Sequence, residues 1–303
     1  VQAAATAGVD FSQFDNTGNG VVEGVAIIHH GPGQEVTSDE TDIWSHAWAL
    51  SAAGYSQSQR RFNGVLVDRY TAQPETRTRN GVMNTIGVIA HEFGHNLGAP
   101  DYYDTNGDED GRHDGTGRWD IMASGNYNGS PSGSAPAHHN AFTKNELGWV
   151  EQIEISTPTV QTLTPVIASA KVLKIKSPVD HEYYLLENRR REGFDRALPG
   201  QGMIVYHVDA NRIASRRAAN NINSQAHQGL MVKPASGIVN SASAPFPGTM
   251  LVSQFTDETT PDMRTWTGES FNRSITGITM VDEDVVFDFM AVQNGSPIAF
   301  TAQ

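Results

Sequence analysis

The sequence predicts an α+β chain in which a mixed sheet with one buried helix is followed by an antiparallel β-sandwich. Residues 81–97 carry apolar side chains at helical spacing, and short β-branched runs precede them. After Val150 the character changes to seven short β-rich runs separated by turns. We therefore expect one domain over residues 1–150 and a second over residues 151–303.

Composition limits the partners and the metal chemistry. The net charge of −13 argues against nucleic acid or an anionic membrane as a partner. No apolar run approaches the ~20 residues that a membrane span needs. The chain has no cysteine, so a transition metal must be bound by His, Asp or Glu. The small-residue start at Val1 is typical of a processed end and equally of a fragment boundary.

The first predicted feature is a polar loop over residues 10–24. Asp15 and Asn19 occupy odd positions of a calcium loop and Glu23 occupies the ninth. Ala26 stands where a complete EF-hand has its bidentate Glu. A calcium site at Asp15, Asn19 and Glu23 and an Asx-rich turn are both open interpretations.

Two strands are expected next, over residues 25–29 and 64–71, with Pro74 ending the second. His46 lies between two tryptophans, and we interpret it as a packed surface histidine rather than a metal or substrate ligand.

A long helix is expected over residues 81–97, buried on most of its surface, with Asn80 as its N-cap and Gly98 ending it. A second helix is expected over residues 134–149, with Pro136 in its first turn.

The long helix carries the motif H-E-x-x-H at His91, Glu92 and His95. Two histidines one turn apart project from one helical face toward a common point, where they can bind zinc. Glu92, beside the first ligand, is positioned to act as general base. Gly98 permits a chain reversal that returns Asp101 as the third ligand, leaving the open position that a catalytic zinc requires.

Met122 falls in a tight turn about 20 residues further on, which extends the match to the zincin pattern with a Met-turn. That pattern has His as its third ligand, where this chain has Asp101, but zinc also accepts Asp oxygen. A purely structural role is disfavoured because two histidines and a glutamate on a buried helix are costly without a partner.

Other residues near the motif have alternative roles. Asp104 is the main alternative to Asp101 as third ligand, or it accepts a hydrogen bond from a ligating histidine. Tyr127 is a candidate donor to the oxyanion of the tetrahedral intermediate, or simply a buried or substrate-facing side chain. Three further histidines lie close in sequence to the motif: His113, His138 and His139.

The loop over residues 106–114 clusters acidic side chains. Asp108 and Asp110 are candidate calcium ligands there, and a solvated acidic turn is an equally open interpretation.

Several segments together resemble the immune inhibitor A family of bacterial secreted metallopeptidases. The segments are DFSQFDNTGNG, VAIIHHGPGQE, IWSHAW, RYTAQPE, HEFGHNLGAPDYYDT, GTGRWDIMASG, PAHHNAFTKNELGWV, EYYLLENR and LPGQGMIVYHVD. The resemblance implies a metzincin-like catalytic domain with an attached β-sandwich. It also implies synthesis with a signal and an inhibitory propeptide, followed by secretion.

For the site, the resemblance implies zinc (Zn2+) at His91, His95 and Asp101, Glu92 as general base, and structural calcium (Ca2+). The expected function is a secreted zinc endopeptidase acting on protein or peptide substrates. The main alternative is a catalytically retired adhesive or binding module on a metallopeptidase scaffold, against which the intact motif argues. A zinc hydrolase of non-protein amides is a third possibility.

Overall fold

The fold is described from a computed structural model that covers residues 1–107 and 109–291. The chain divides into two compact units. The first comprises Val1–Asp101, Arg118–His139 and Gly193–Ala197. The second comprises Tyr102–Gly117, Asn140–Glu192 and the described residues from Leu198 onward. The domain boundary expected near residue 150 stays a prediction.

The chain is mixed α/β and contains several sheets. Its described helices are short: α1 Gln2–Thr6, α2 Gln34–Thr37, α3 Ile86–Asn96, α4 Ala141–Glu146, α5 Val166–Ser169 and α6 Ala210–Arg216. The strands of the first unit are β1 Val25–Pro32, β2 His46–Ala49, β3 Arg61–Phe62, β4 Val65–Leu66 and β5 Arg69–Thr76. Among the described residues, no helix combines the length and apolar character that crossing a bilayer requires.

The strands of the second unit are β6 Glu151–Glu154, β7 Thr159–Leu163, β8 Lys171–Lys176, β9 Glu182–Arg189, β10 Gly202–Asp209, β11 Leu230–Val232, β12 Ile275–Val281 and β13 Asp284–Phe289. Each of the seven β-rich runs predicted after Val150 overlaps one of the strands β7 to β13, whereas β6 was not predicted. The alternation of apolar and turn residues therefore indicated seven of the eight strands in this half.

The main sheet of the first unit is mixed and has the order β1-β5-β2. β5 pairs in parallel with β1 and antiparallel with β2. The expectation that Pro74 ends the strand is wrong, because β5 continues to Thr76. The pairing of β2 with β5 stops at Ala72, so Pro74, which has no N–H, lies beyond the part of β5 that is bonded on both sides.

Helix α3 begins later than predicted, with Thr85 rather than Asn80 at its N-cap. Residues 81–84 instead continue the strand pairing at the end of β5, where the Asn84 amide donates to the Glu75 carbonyl at 2.8 Å. The local cap signal was overridden by this pairing between strands.

The apolar side chains of this segment are also more exposed than predicted. Those exposed by more than a third are Val82, Met83, Ile86, Phe93 and Leu97. The buried residues of α3 are Gly87, His91, Glu92 and Gly94. The expectation of a helix buried on most of its surface is therefore wrong, and the buried face carries the motif itself.

Helix α4 is shorter than the predicted 134–149. It begins after Asn140, whose side-chain oxygen accepts from the Thr143 amide at 2.8 Å and so caps the first turn. The residues before this cap use their amides elsewhere, since the Ala137 amide donates to the Gly125 carbonyl at 2.9 Å. Pro136 therefore lies outside the helix.

The second unit contains a five-stranded sheet of order β11-β10-β9-β8-β6 and a three-stranded sheet of order β12-β13-β7. All pairings are antiparallel except that of β6 with β8. This exception arises because the chain leaves the sheet to form β7 and returns in its original direction. Both sheets bury side chains in one apolar cluster, including Leu186 and Val205 from one and Phe287 and Phe289 from the other.

Candidate active site

The buried face of α3 and the chain after it bring three metal-ligating side chains together. His91 and His95 lie one turn apart on the helix, and Gly98 follows with φ +97°. A left-handed backbone is accessible to glycine without steric cost, so the chain reverses there. The reversal places the buried Asp101 beside both histidines.

The ligand atoms of His91, His95 and Asp101 all lie within 4.8 Å of one another. Asp101 Oδ1 is 3.1 Å from His91 Nε2 and 3.4 Å from His95 Nε2. The two imidazole planes are nearly perpendicular, at 85°. The arrangement presents two nitrogens and one carboxylate to a common point.

The other nitrogen of each ring faces a backbone carbonyl. His91 Nδ1 is 2.7 Å from the Ile121 oxygen, and His95 Nδ1 is 2.8 Å from the Ala99 oxygen. A carbonyl only accepts, so each Nδ1 carries the proton and donates it. In the neutral ring, Nε2 then directs a lone pair toward the Asp101 carboxylate, an arrangement that a shared cation stabilises. The donor set therefore fits a metal ion.

The charges in the site influence one another. Burial raises the pKa of Glu92, although His91 and His95 partly oppose that shift. Burial also disfavours ionisation of Asp101, but the two histidine rings beside its carboxylate hold the pKa of Asp101 well below its usual range. Asp101 is therefore present as a carboxylate that can bind a metal ion, whereas Glu92 is better suited to accept and release a proton.

Met122 lies fully buried against the same helix. It lies within a tight turn closed by the hydrogen bond from the Ala123 amide to the Asp120 carbonyl, at 3.1 Å. A Cβ added at Gly94 would overlap the Met122 sulfur and lie 3.1 Å from Cε1 of His139. Gly94 is a residue that the sequence interpretation missed, and a small residue between two ligands was the available signal.

Comparison with known proteins agrees with this geometry. The profile of the immune inhibitor A peptidase M6 catalytic domain matches residues 9–150, which include the whole motif. Residues 9–150 of this chain belong to the immune inhibitor A family of metallopeptidases. The match confirms the family that the sequence segments resemble.

Two curated relatives illustrate the extent of the similarity to the immune inhibitor A family. Immune inhibitor A of Bacillus thuringiensis subsp. alesti is 30% identical over 183 residues, covering 51% of this chain and 25% of the relative. Pre-pro-metalloprotease PrtV of Vibrio cholerae serotype O1 (strain M66-2) is 29% identical over 181 residues, covering 51% of this chain and 18% of the relative. The chain thus spans a quarter or less of these relatives.

The polar loop near the start has the geometry of an Asx-rich turn. Asp15 accepts from the amides of Asn19 at 3.0 Å and Gly20 at 2.8 Å, and Glu23 accepts from the Asn16 amide at 3.1 Å. Among the described residues, the His, Asp and Glu groups close enough to hold a metal do not include Asp15 or Glu23. Calcium at Asp15, Asn19 and Glu23 stays a prediction.

The acidic loop is described only in part, since Asp108 lies outside the described residues. Asp110 groups with Asp104 and His113, whose ligand atoms lie within 4.8 Å of one another. His113 supplies nitrogen, whereas calcium prefers oxygen ligands. Calcium at Asp108 and Asp110 stays a prediction, and Asp104 belongs to this group rather than to that of Asp101.

The remaining candidates have local partners or remain untested. His46 Nδ1 is 2.7 Å from the Trp44 carbonyl and its Nε2 is 3.3 Å from the Tyr70 hydroxyl, which agrees with a packing role. The His138 amide donates to Asp195 at 2.9 Å, and the His139 side chain is buried. Tyr127 is exposed, and its role as an oxyanion donor stays a prediction.

Proposed function

We propose that this chain is a zinc-dependent endopeptidase with His91, His95 and Asp101 as metal ligands and Glu92 as general base. The observation that carries the proposal is the separation of Asp101 Oδ1 from the two Nε2 atoms, 3.1 and 3.4 Å. Ligands about 2.0–2.1 Å from a tetrahedral ion lie roughly 3.3–3.4 Å apart. The spacing therefore suits zinc without rearrangement.

Zinc bound by these residues would polarise the scissile carbonyl and lower the pKa of the attacking water. Glu92 then takes the proton from that water as it attacks the carbonyl carbon. The same carboxyl returns the proton to the departing amine nitrogen, after which the peptide bond is broken. The burial that raises the pKa of Glu92 favours this second transfer, because it makes the protonated form more accessible.

Carbonyl oxygens fix both histidines for this task. The bonds to the Ile121 and Ala99 carbonyls set the ring tautomers and orient each Nε2 toward the metal position. Asp101 contributes the negative charge that a site with two neutral histidines lacks.

The test is casein hydrolysis by Glu92→Gln and by wild type, with zinc content measured for both proteins. We expect Glu92→Gln to bind zinc normally and to lose at least about 100-fold in rate, because the proton acceptor is gone. The exposed Glu40→Gln serves as a control and should keep full activity. Undiminished hydrolysis by zinc-loaded Glu92→Gln would contradict the mechanism.

The wider parts of the proposal rest on the family. We propose a metzincin-like catalytic domain, a β-sandwich in the second half, structural calcium, secretion, and an inhibitory propeptide removed on maturation. The name of the Vibrio relative, a pre-pro-metalloprotease, supports synthesis with a signal and a propeptide. The shared apolar cluster of the two sheets supports the sandwich.

A further inference from the structure

A second group of metal-ligating side chains lies within the second unit, where β9 begins and β10 ends. Strand register places Asp209 directly opposite Glu182, and His181 directly precedes Glu182 in the chain. The side chains of Glu182 and Asp209 are almost fully buried, as is that of the neighbouring His207. The sequence interpretation missed this group because only the pairing of the strands brings its members together.

The two carboxylates of this group carry like charges, and Asp209 Oδ1 accepts a hydrogen bond from the Arg212 amide at 3.0 Å. Like charges directly opposite each other on adjacent strands are destabilising, and buried carboxylates are more so. Within the described part of the chain, no lysine or arginine forms an ion pair with Glu182 or Asp209. The nearby Lys233 pairs with Asp262 instead, at 3.0 Å.

Histidines surround the two carboxylates. His227 Nε2 is 2.9 Å from Asp209 Oδ2, and His181 Nε2 is 3.9 Å from Asp209 Oδ1. His227 Nε2 is buried, yet it makes no hydrogen bond to any described residue, so its approach to the carboxylate is not a directed hydrogen bond. A buried nitrogen held close to a carboxylate without such a bond is expected of two ligands that share one ion.

Only one carboxylate oxygen of Glu182 has hydrogen-bonding contacts among the described residues. Its Oε2 accepts from the Trp266 amide at 3.0 Å and lies 3.0 Å from His207 Nε2. Among the described residues, no hydrogen bond uses its other oxygen, which is left for a ligand. The Trp266 ring lies against both His207 and His227, with ring centroids 5.5 and 4.6 Å away.

We propose that His181, Glu182, Asp209 and His227 form a second, structural site for a divalent transition metal of the zinc class. The ligand atoms of the first three lie within 4.8 Å of one another, and His227 supplies a second nitrogen beside Asp209. Two imidazoles and two carboxylates are a donor set that suits zinc, and four protein ligands leave no open position for chemistry. The ion would join the start of β9 to the end of β10.

The test uses His91→Gln/His95→Gln as a background, so that the candidate active site does not contribute. This variant is loaded with zinc, dialysed against metal-free buffer, and assayed for zinc per chain by mass spectrometry. We expect about one equivalent to remain bound. Adding His181→Gln/His227→Gln should abolish it, whereas adding the exposed His30→Gln should not.

Two results would overturn the proposal. One is a background variant that circular dichroism shows to be folded but that retains no zinc. The other is full retention of zinc after His181→Gln/His227→Gln. Should this last variant fail to fold, zinc-edge X-ray absorption of the background variant decides: imidazole scattering from two histidines at about 2.0–2.1 Å supports the site, and its absence contradicts it.

Discussion

At the residue scale, two imidazoles and one carboxylate carry the chemistry that we assign to this chain. Each imidazole donates through Nδ1 to a backbone carbonyl, so that Nε2 is the nitrogen directed toward Asp101. Asp101 is ionised because the neighbouring histidine rings outweigh the effect of burial on its pKa. Backbone carbonyls therefore orient the proposed ligands as much as side-chain contacts do.

The choice between Asp101 and Asp104 as third ligand gives a prediction at this scale. Asp101 groups with His91 and His95, whereas Asp104 groups with Asp110 and His113. We expect Asp101→Asn to weaken zinc binding by at least about 100-fold, and Asp104→Asn to change it by less than about threefold. Competition with a chromogenic chelator measures both dissociation constants. The reverse order of effects would assign the ligand to Asp104.

At the scale of elements, α3 is unusual because its buried face holds glycines and ionisable residues rather than large apolar ones. Gly94 allows the Met122 side chain to lie directly against the helix between the two ligands. The Ile121 carbonyl next to Met122 accepts a hydrogen bond from His91 Nδ1. The tight turn thus both fills the space beside α3 and orients a ligand.

Gly94→Ala tests this packing, because the substitution should raise the free energy of unfolding at an open helix position and lower it at a crowded one. Alanine in an open helix position stabilises by about 0.5–1 kcal/mol relative to glycine. Here the new methyl group would overlap Met122, so we expect a loss of about 1–3 kcal/mol in the free energy of unfolding.

Gly24→Ala is the matched control for that substitution. The Cβ added at position 24 would lie 2.9 Å from the end of the Asn96 side chain. Because that side chain can move, the expected loss in the free energy of unfolding is smaller. Urea unfolding measures both variants. A Gly94→Ala protein as stable as wild type would show that the contact with Met122 is loose.

An element could be predicted from the sequence when the signal that specifies it is local, and not when it depends on pairing with a distant segment. Strands β7 to β13 could be predicted because apolar alternation and turn residues are local signals. The start of α3 could not, because residues 81–84 pair with β5 and override the cap signal at Asn80. The placement of Asp101 beside the two histidines was predictable from the reversal at Gly98, whereas the group around Asp209 depends on strand register that no local pattern encodes.

At the scale of the whole molecule, each of the two units buries apolar side chains of its own. In the second unit, both sheets contribute to a shared apolar cluster. In the first, Phe11, Val22, Val65 and Val67 form an apolar cluster, and the candidate active site forms around α3 in the same unit. Metal binding adds stability to the folded state, so we expect zinc at the candidate active site to stabilise the unit that holds it.

The measurement that tests the central claim most directly is the dependence of casein hydrolysis on zinc content. The protein is freed of metal with a chelator, dialysed, and assayed as zinc is returned. We expect negligible hydrolysis without zinc, recovery as zinc is restored, and no recovery by His91→Gln/His95→Gln at any zinc concentration. Full hydrolysis by the zinc-free protein, or recovery by that variant, would contradict the assignment of zinc-dependent peptide hydrolysis to these residues.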